Sequence, residues 1–116
     1  MQYDSEVSEA DREYARSFRW TTIVINQDLK CERHRDANNV GLSAILAVGP
    51  HKGGDLRYWP NDGCKSPVST LSLDDCQLLK VSKGIRFFDG RKAHETTEFK
   101  GKRTSIIWYL VKTLMH

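Results

Sequence analysis

His34-Arg35-Asp36 sets an imidazole and a carboxylate two residues apart. On an extended segment successive side chains point to opposite faces, so His34 and Asp36 turn together toward an interior while Arg35 turns away. This is half of a metal site. Alone, an H-x-D tripeptide is more often a surface or structural feature than a ligand pair, and what changes the weighing is the order of residues further along. A second imidazole stands at His94, and Arg103-x-Ser105 follows it. Two histidines and one carboxylate leave about three positions of an octahedral ion open, enough for a chelating ligand and dioxygen. On the last apolar stretch Arg103, Ser105, Ile107 and Tyr109 alternate with Thr104, Ile106, Trp108 and Leu110. If the first set lines an interior, the guanidinium needs an anion, since a buried unpaired charge is costly. A carboxylate-bearing ligand meets that need, because a planar fork of donors matches it bidentately and the Ser105 hydroxyl adds a further hydrogen bond.

The elements that must carry these groups are short. Aromatic and β-branched residues from Phe18 to Asn26 predict a strand, as do Leu42 to Val48, Asp55 to Trp59 and Arg103 to about Lys112. Gln77 to Val81 and Ile85 to Phe88, separated by Ser82-Lys83-Gly84, read as a hairpin. His51 to Gly54 reads as a loop whose paired glycines permit close backbone approaches, and Glu95 to Lys100 as a short polar segment. Pro60 to Asp75 is the most loop-like stretch, either a lid or a surface loop without a task. Before the first strand, Val7, Ala10 and Tyr14 have the spacing of an amphipathic helix, so residues 1–17 read as a short helix or arm. Seven or eight strands parted by turn residues predict an all-β fold for residues 18–112, a small sandwich or barrel with a jelly roll as its compact closed form. A chain of 116 residues is one domain, spanning 1–116.

In order, His34-x-Asp36, His94 and Arg103-x-Ser105 resemble the pattern of the Fe(II)- and 2-oxoglutarate-dependent dioxygenases. The likeness covers most of residues 20–111. The segments His34 to Gly41, Gly53-Gly54-Asp55-Leu56 and Phe88-Asp89-Gly90 leading to His94 look like the branch that holds the prolyl hydroxylases and the TET/JBP nucleobase oxygenases. The resemblance implies a double-stranded β-helix, Fe(II) held by His34, Asp36 and His94, and the distal carboxylate of 2-oxoglutarate held by Arg103 and Ser105. It makes Asn26 a candidate for the other end of that co-substrate and Asn39 a brace for the metal loop. Oxidative decarboxylation of 2-oxoglutarate with O2, ascorbate serving as auxiliary reductant, would be coupled to hydroxylation or oxidative demethylation of a C–H bond. The prime substrate is a nucleobase or a peptide side chain, the nucleic acid slightly ahead. For a base, Tyr58 and Trp59 are candidates to stack, and Arg33, Arg35, Arg57, Arg91 and Lys92 to contact phosphate. The chain is close to a bare β-helix core, without most of the helices that flank it in the family, which makes it a fragment, a reduced domain or part of an assembly.

Composition bounds these readings. No apolar run approaches the length of a membrane span, the longest being Ile106 to Val111. The acidic, polar N-terminus is not a signal or transit sequence, so the expectation is a soluble intracellular protein of cytoplasm or nucleus. The net charge of +3 is concentrated in the C-terminal third, which suits a small anion, nucleic acid or plain solvation. Cys31, Cys64 and Cys76 cannot all pair within the chain, and reduced thiols are the simpler reading. Two rivals stand beside the enzyme. One is a zinc module using Cys31, His34, Cys64 and Cys76, which leaves Asp36, His94 and Arg103 unexplained. The other is a catalytically degenerate jelly-roll binding or assembly subunit, with the basic C-terminal third as its interaction face.

Overall fold

The structure is a computed structural model and describes residues 16–111. The expected N-terminal helix or arm, apart from Arg16 and Ser17, lies outside the described residues. Among these are nine strands: β1 (Thr22–Gln27), β2 (Ser43–Val48), β3 (His51–Gly53), β4 (Leu56–Tyr58), β5 (Gln77–Leu79), β6 (Arg86–Phe88), β7 (His94–Thr96), β8 (Phe99–Gly101) and β9 (Thr104–Tyr109). The only helical elements described are 3-10 turns at Val68–Thr70 and Leu73–Asp75. Every named strand pairing is antiparallel. The large sheet has the order β1-β9-β2-β6, the small sheet β5-β4-β7, and β3 pairs with β8 as a separate ribbon.

Burial follows from alternation. Ile45 and Ala47 of β2 and Phe88 of β6 join Leu56 and Tyr58 of β4, Leu79 of β5 and Val81 in one apolar cluster, with Ile107 of β9 packed against it. The cluster draws on both sheets, so their inner faces oppose each other and the core fills one part of the space between them. The rest of that space is a cavity of about 500 Å³, lined by Val24 and Asn26 of β1, Ser43 and Ile45 of β2, and residues of β4, β6, β7 and β9.

Two local expectations change. Residues 77–81 and 85–88 form no hairpin: β5 pairs with β4 and β6 with β2. The turn closed by the Lys83 N–H donating to the Lys80 carbonyl at 3.1 Å carries the chain from one sheet to the other. Val81, fully buried beside β2 through the Ala47 N–H bond to its carbonyl, holds the crossing in place. The polar stretch from His94 forms two strands, β7 and β8, and residues 51–53 are strand rather than loop. Their three-residue lengths are too short for an alternating pattern to declare itself.

Residues 60–75 neither line the cavity nor hang free. The Trp59 indole N–H donates to the Ser72 carbonyl at 2.8 Å, and Arg33 Nη1 donates to the Val68 and Leu71 carbonyls at 2.9 and 3.1 Å. The Arg33 guanidinium also lies 4.3 Å from the Trp59 ring centroid. The segment is a strap fixed across the backs of the residues that bear the metal-ligand candidates. Among the described residues no helix is long and apolar enough to cross a membrane.

Candidate metal centre and anion pocket

His34 lies in no named strand. It forms an isolated antiparallel bridge with His94, each backbone N–H donating to the other's carbonyl at 3.0 and 3.1 Å. This bridge brings two residues far apart in sequence face to face, with ring centroids 4.3 Å apart. The Asp36 N–H donates to the Gly90 carbonyl at 2.8 Å, which docks the third candidate on the same edge. A side chain at position 90 would crowd the Asn39 amide, 2.8 Å from where its Cβ would stand, with Asp36 Oδ2 3.7 Å away, so glycine is the residue that lets this loop close. Asn39 supports the loop from behind, its backbone N–H bonded to the Asp36 carbonyl and its amide to Ser43 Oγ.

The two imidazoles are oriented alike. His34 Nδ1 sits 2.7 Å from the Glu32 carbonyl and His94 Nδ1 2.8 Å from the Lys92 carbonyl. A carbonyl only accepts, so each Nδ1 carries the proton, and each Nε2 is the nitrogen that presents a lone pair when the ring is neutral. Both Nε2 atoms face Asp36 Oδ2, at 3.7 Å from His34 and 3.4 Å from His94. Ligands at right angles on an ion with bonds of ~2.1 Å are ~3 Å apart, so a small contraction would seat an ion among them. Among the described residues, His34, Asp36 and His94 form the one group of three or more His, Cys, Asp or Glu side chains with converging ligand atoms, all within 4.8 Å of one another. Burial pushes the Asp36 carboxyl up, but hydrogen bonding to His34 and His94 outweighs it and holds the group well below the usual carboxylate range. His34 is raised, chiefly by its hydrogen bond to Asp36 and against its own burial. Both shifts describe one interaction, an imidazolium hydrogen-bonded to a carboxylate.

Arg103 occupies another part of the same cavity. Its backbone is pinned twice by Asp28, whose Oδ1 accepts from the Arg103 N–H and whose N–H donates to the Arg103 carbonyl, both at 2.7 Å. The side chain passes over Gly54. With φ at +77° and a hypothetical Cβ only 2.6 Å from Arg103 Nε, position 54 excludes any side chain for two independent reasons. The residue is 2% exposed, and its Nε and Nη2 find no hydrogen-bond partner among the described residues. Phe99 gives the guanidinium an aromatic face at 5.5 Å. Burial pulls Arg103 below its ordinary value, opposed by the fields of Cys31 and Asp55. Ser105, 4% exposed, follows on the same face, and the strand register puts Asn26 directly across from Ser105. Asn26 therefore stands beside Ser105 on the cavity wall. Tyr109 also lines the cavity.

Other sequence candidates are engaged elsewhere. Trp59 is 1% exposed and Tyr58 is buried in the core, so neither presents a face to an incoming base. Arg33 and Arg57 pair with Glu95, Arg35 with Asp62 and Arg91 with Asp89, while the Lys92 ammonium donates to the Asp62 carbonyl. The three cysteines are free thiols and join no cluster: Cys31 lines the cavity, Cys64 bonds to the Arg91 carbonyl and Cys76 to that of Leu73, so the tetrahedral sulfur site is not assembled. Asp62, outwardly a turn residue, was hidden from sequence reasoning because its partners come from distant segments. What the fold brings together is a two-histidine, one-carboxylate group and an unsatisfied guanidinium sharing one cavity. Comparison with protein-family models, curated proteins and solved structures finds no match to this chain.

Proposed function

We propose that this domain is a non-haem Fe(II)- and 2-oxoglutarate-dependent oxygenase that hydroxylates, or oxidatively demethylates, a C–H bond, built on a double-stranded β-helix. The observation that carries the reading is the pairing of a converging ligand group and an unsatisfied guanidinium within one cavity. At one end stand three ligand atoms within 4.8 Å of each other, at the other a buried guanidinium with two unsatisfied nitrogens. A metal alone would leave Arg103 without a partner; a carboxylate alone would leave the triad without a purpose. One bifunctional ligand, a 2-oxo acid with a distal carboxylate, satisfies both. The antiparallel order β1-β9-β2-β6 facing β5-β4-β7 supports the jelly-roll form.

The donor set fits the ion. Two imidazoles and a carboxylate with open positions suit Fe(II), and the iron with its co-substrate and O2 would supply the oxidising power for the C–H bond. The chain's own residues do the rest. Glu32 and Lys92 carbonyls hold His34 and His94 with Nε2 inward, which also raises ligand basicity. Arg103 and Ser105 bind the distal carboxylate, with Asn26 on the same cavity wall as a further polar contact to the co-substrate, and so fix the direction from which the keto acid reaches the metal. Ile45, Leu56, Phe88 and Ile107 keep the cavity wall apolar, which strengthens the ion pair to Arg103 and limits competing water. The burial of Tyr58 and Trp59 and the pairing of the arginines favour a substrate gripped by the cavity, a peptide side chain included, over one held on a basic aromatic surface.

The test is an anaerobic titration of the protein with Fe(II) and 2-oxoglutarate, watched for the visible metal-to-ligand charge-transfer band. The expected band is absent in His94→Ala and needs far more 2-oxoglutarate in Arg103→Ala. No band from folded wild-type protein would overturn the enzyme reading and leave the binding-subunit alternative. Succinate formation dependent on His94 would exclude that alternative.

A further inference from the structure

We propose that Asp62, which touches none of the ligand atoms, is the positioning residue that sets the spacing between the two histidine-bearing segments. The proposal rests on the metal reading of the triad. Alternation is the cause of the arrangement: with His34 and Asp36 turned inward, Arg35 between them turns to the back of the sheet. There its guanidinium makes a bidentate pair with Asp62, Nε to Oδ2 at 2.7 Å and Nη2 to Oδ1 at 2.8 Å. Oδ2 also accepts the backbone N–H of Ala93, the residue before His94, at 2.8 Å. Oδ1 accepts the Cys64 N–H at 2.9 Å, closing the loop that carries Asp62, and Lys92 donates to the Asp62 carbonyl at 3.1 Å. One carboxylate is thus bonded to both segments that carry the triad.

Its surroundings make the link stiff. The Asp62 side chain is only 1% exposed, and each of its oxygens accepts two hydrogen bonds, so no competing water partner is needed. A second brace lies on the other side of the histidine bridge, where Arg33 pairs with Glu95 at 3.2 Å, but Glu95 divides itself between Arg33 and Arg57. Asp62 is the only described carboxylate bonded to residues adjacent to all three ligand candidates: Arg35 adjoins His34 and Asp36, and Ala93 adjoins His94.

The experiment compares the full chain as wild type, Asp62→Asn, Arg35→Gln, the double variant and Val81→Ala, a core truncation away from the triad. Each is titrated with Co(II), followed by its visible d–d bands, and melted without metal. Asp62→Asn keeps the volume and one acceptor oxygen but loses the charge. The expected result is about a tenfold loss of Co(II) affinity with altered d–d bands, the scale of lost outer-shell support. Arg35→Gln should match it, the double variant should add little, and Val81→Ala should lower the melting temperature with Co(II) affinity unchanged. Affinity within twofold of wild type in Asp62→Asn overturns the proposal while leaving the metal site standing. An equal loss in Val81→Ala also overturns it, by reducing the effect to general destabilisation. Should Asp62→Asn not fold, Arg35→Gln decides in the same way. Wild-type protein that binds no Co(II) sinks the metal reading itself and this proposal with it.

Discussion

The candidate metal end of the cavity, at His34, Asp36 and His94, and its candidate anion end, at Arg103, are built on opposite plans. Around His34, Asp36 and His94 the neighbouring charged groups find partners, Arg33 with Glu95, Arg35 with Asp62, and both Nδ1 atoms with carbonyls, and only the Arg33 Nε is left buried without one. Even without an ion, the three ligand candidates partly satisfy one another. Around Arg103 the backbone is equally fixed, but the guanidinium is buried with two nitrogens unsatisfied. The difference separates a site that is preorganised from one that is also incomplete. The first stands at little cost as it is, whereas the second stores a desolvation penalty that an anion would relieve.

Variants at the two ends should therefore behave differently. The largest effect belongs to Asp36→Ala: losing a ligand should cost more than the ~100-fold that outer-shell losses reach, so Co(II) affinity should fall beyond that. Titration of the variant checks it, and near-normal affinity would mean the carboxylate is not a ligand. Next is Arg103→Met, which removes the charge and keeps much of the volume. Affinity for 2-oxoglutarate should drop by about 30-fold or more, the scale of truncating a buried charge partner. Metal affinity should hold, while ligand-free stability should rise by about 1–3 kcal/mol as the unsatisfied group disappears. A loss of stability in chemical denaturation would show that Arg103 already has the partner it needs. Gly54→Ala attacks the same end indirectly, by pushing the guanidinium aside. The positive φ and the 2.6 Å approach to Nε should destabilise the fold by about 1–3 kcal/mol and weaken 2-oxoglutarate binding roughly tenfold, with the metal end untouched.

The contrast also explains what could be read from the sequence. The inward residues of both ends were legible, because they lie on extended segments where a spacing of two fixes a shared face: His34 with Asp36, Arg103 with Ser105. The outward residues were not. Arg33, Arg35, Arg57 and Arg91 look like free basic groups until Glu95, Asp62 and Asp89 are seen to hold them, and the pairs of the first three join segments distant along the chain. The turn at residues 82–84 was similarly legible as a turn but silent about pairing, since a tight reversal serves a sheet crossing as well as a hairpin. Residues 60–75 carry loop composition, and nothing local marks Asp62 or the Ser72 carbonyl as anchors. Single-face chemistry is written locally, whereas bracing is written in pairs that only the fold reveals.

The smallest effect sharpens the claim that the metal end is complete without its ion. Asp36, with burial raising it and the two imidazoles lowering it further, is held below its ordinary value, so its contribution is present above ~pH 3.9 and fades as pH falls through the lowered value. His34 is raised by its hydrogen bond to Asp36, so its contribution is full below ~pH 6.5 and is lost as pH rises through the raised value. These are one interaction seen from two sides, and metal-free protein should gain from it between roughly pH 4 and pH 6.5. With the His34 and Asp36 side chains 40% and 44% exposed, solvent screening limits the gain to about 0.5 kcal/mol. Co(II) should reverse the alkaline side, because metal and proton compete for the same imidazole and the stabilisation by metal grows as the proton leaves. Denaturation across pH 5 to 8, with and without Co(II), reads both slopes, and His34→Asn should flatten the metal-free one. A flat wild-type profile would mean that imidazole and carboxylate stand apart until an ion gathers them, and the metal end would then be as unfinished as the anion end.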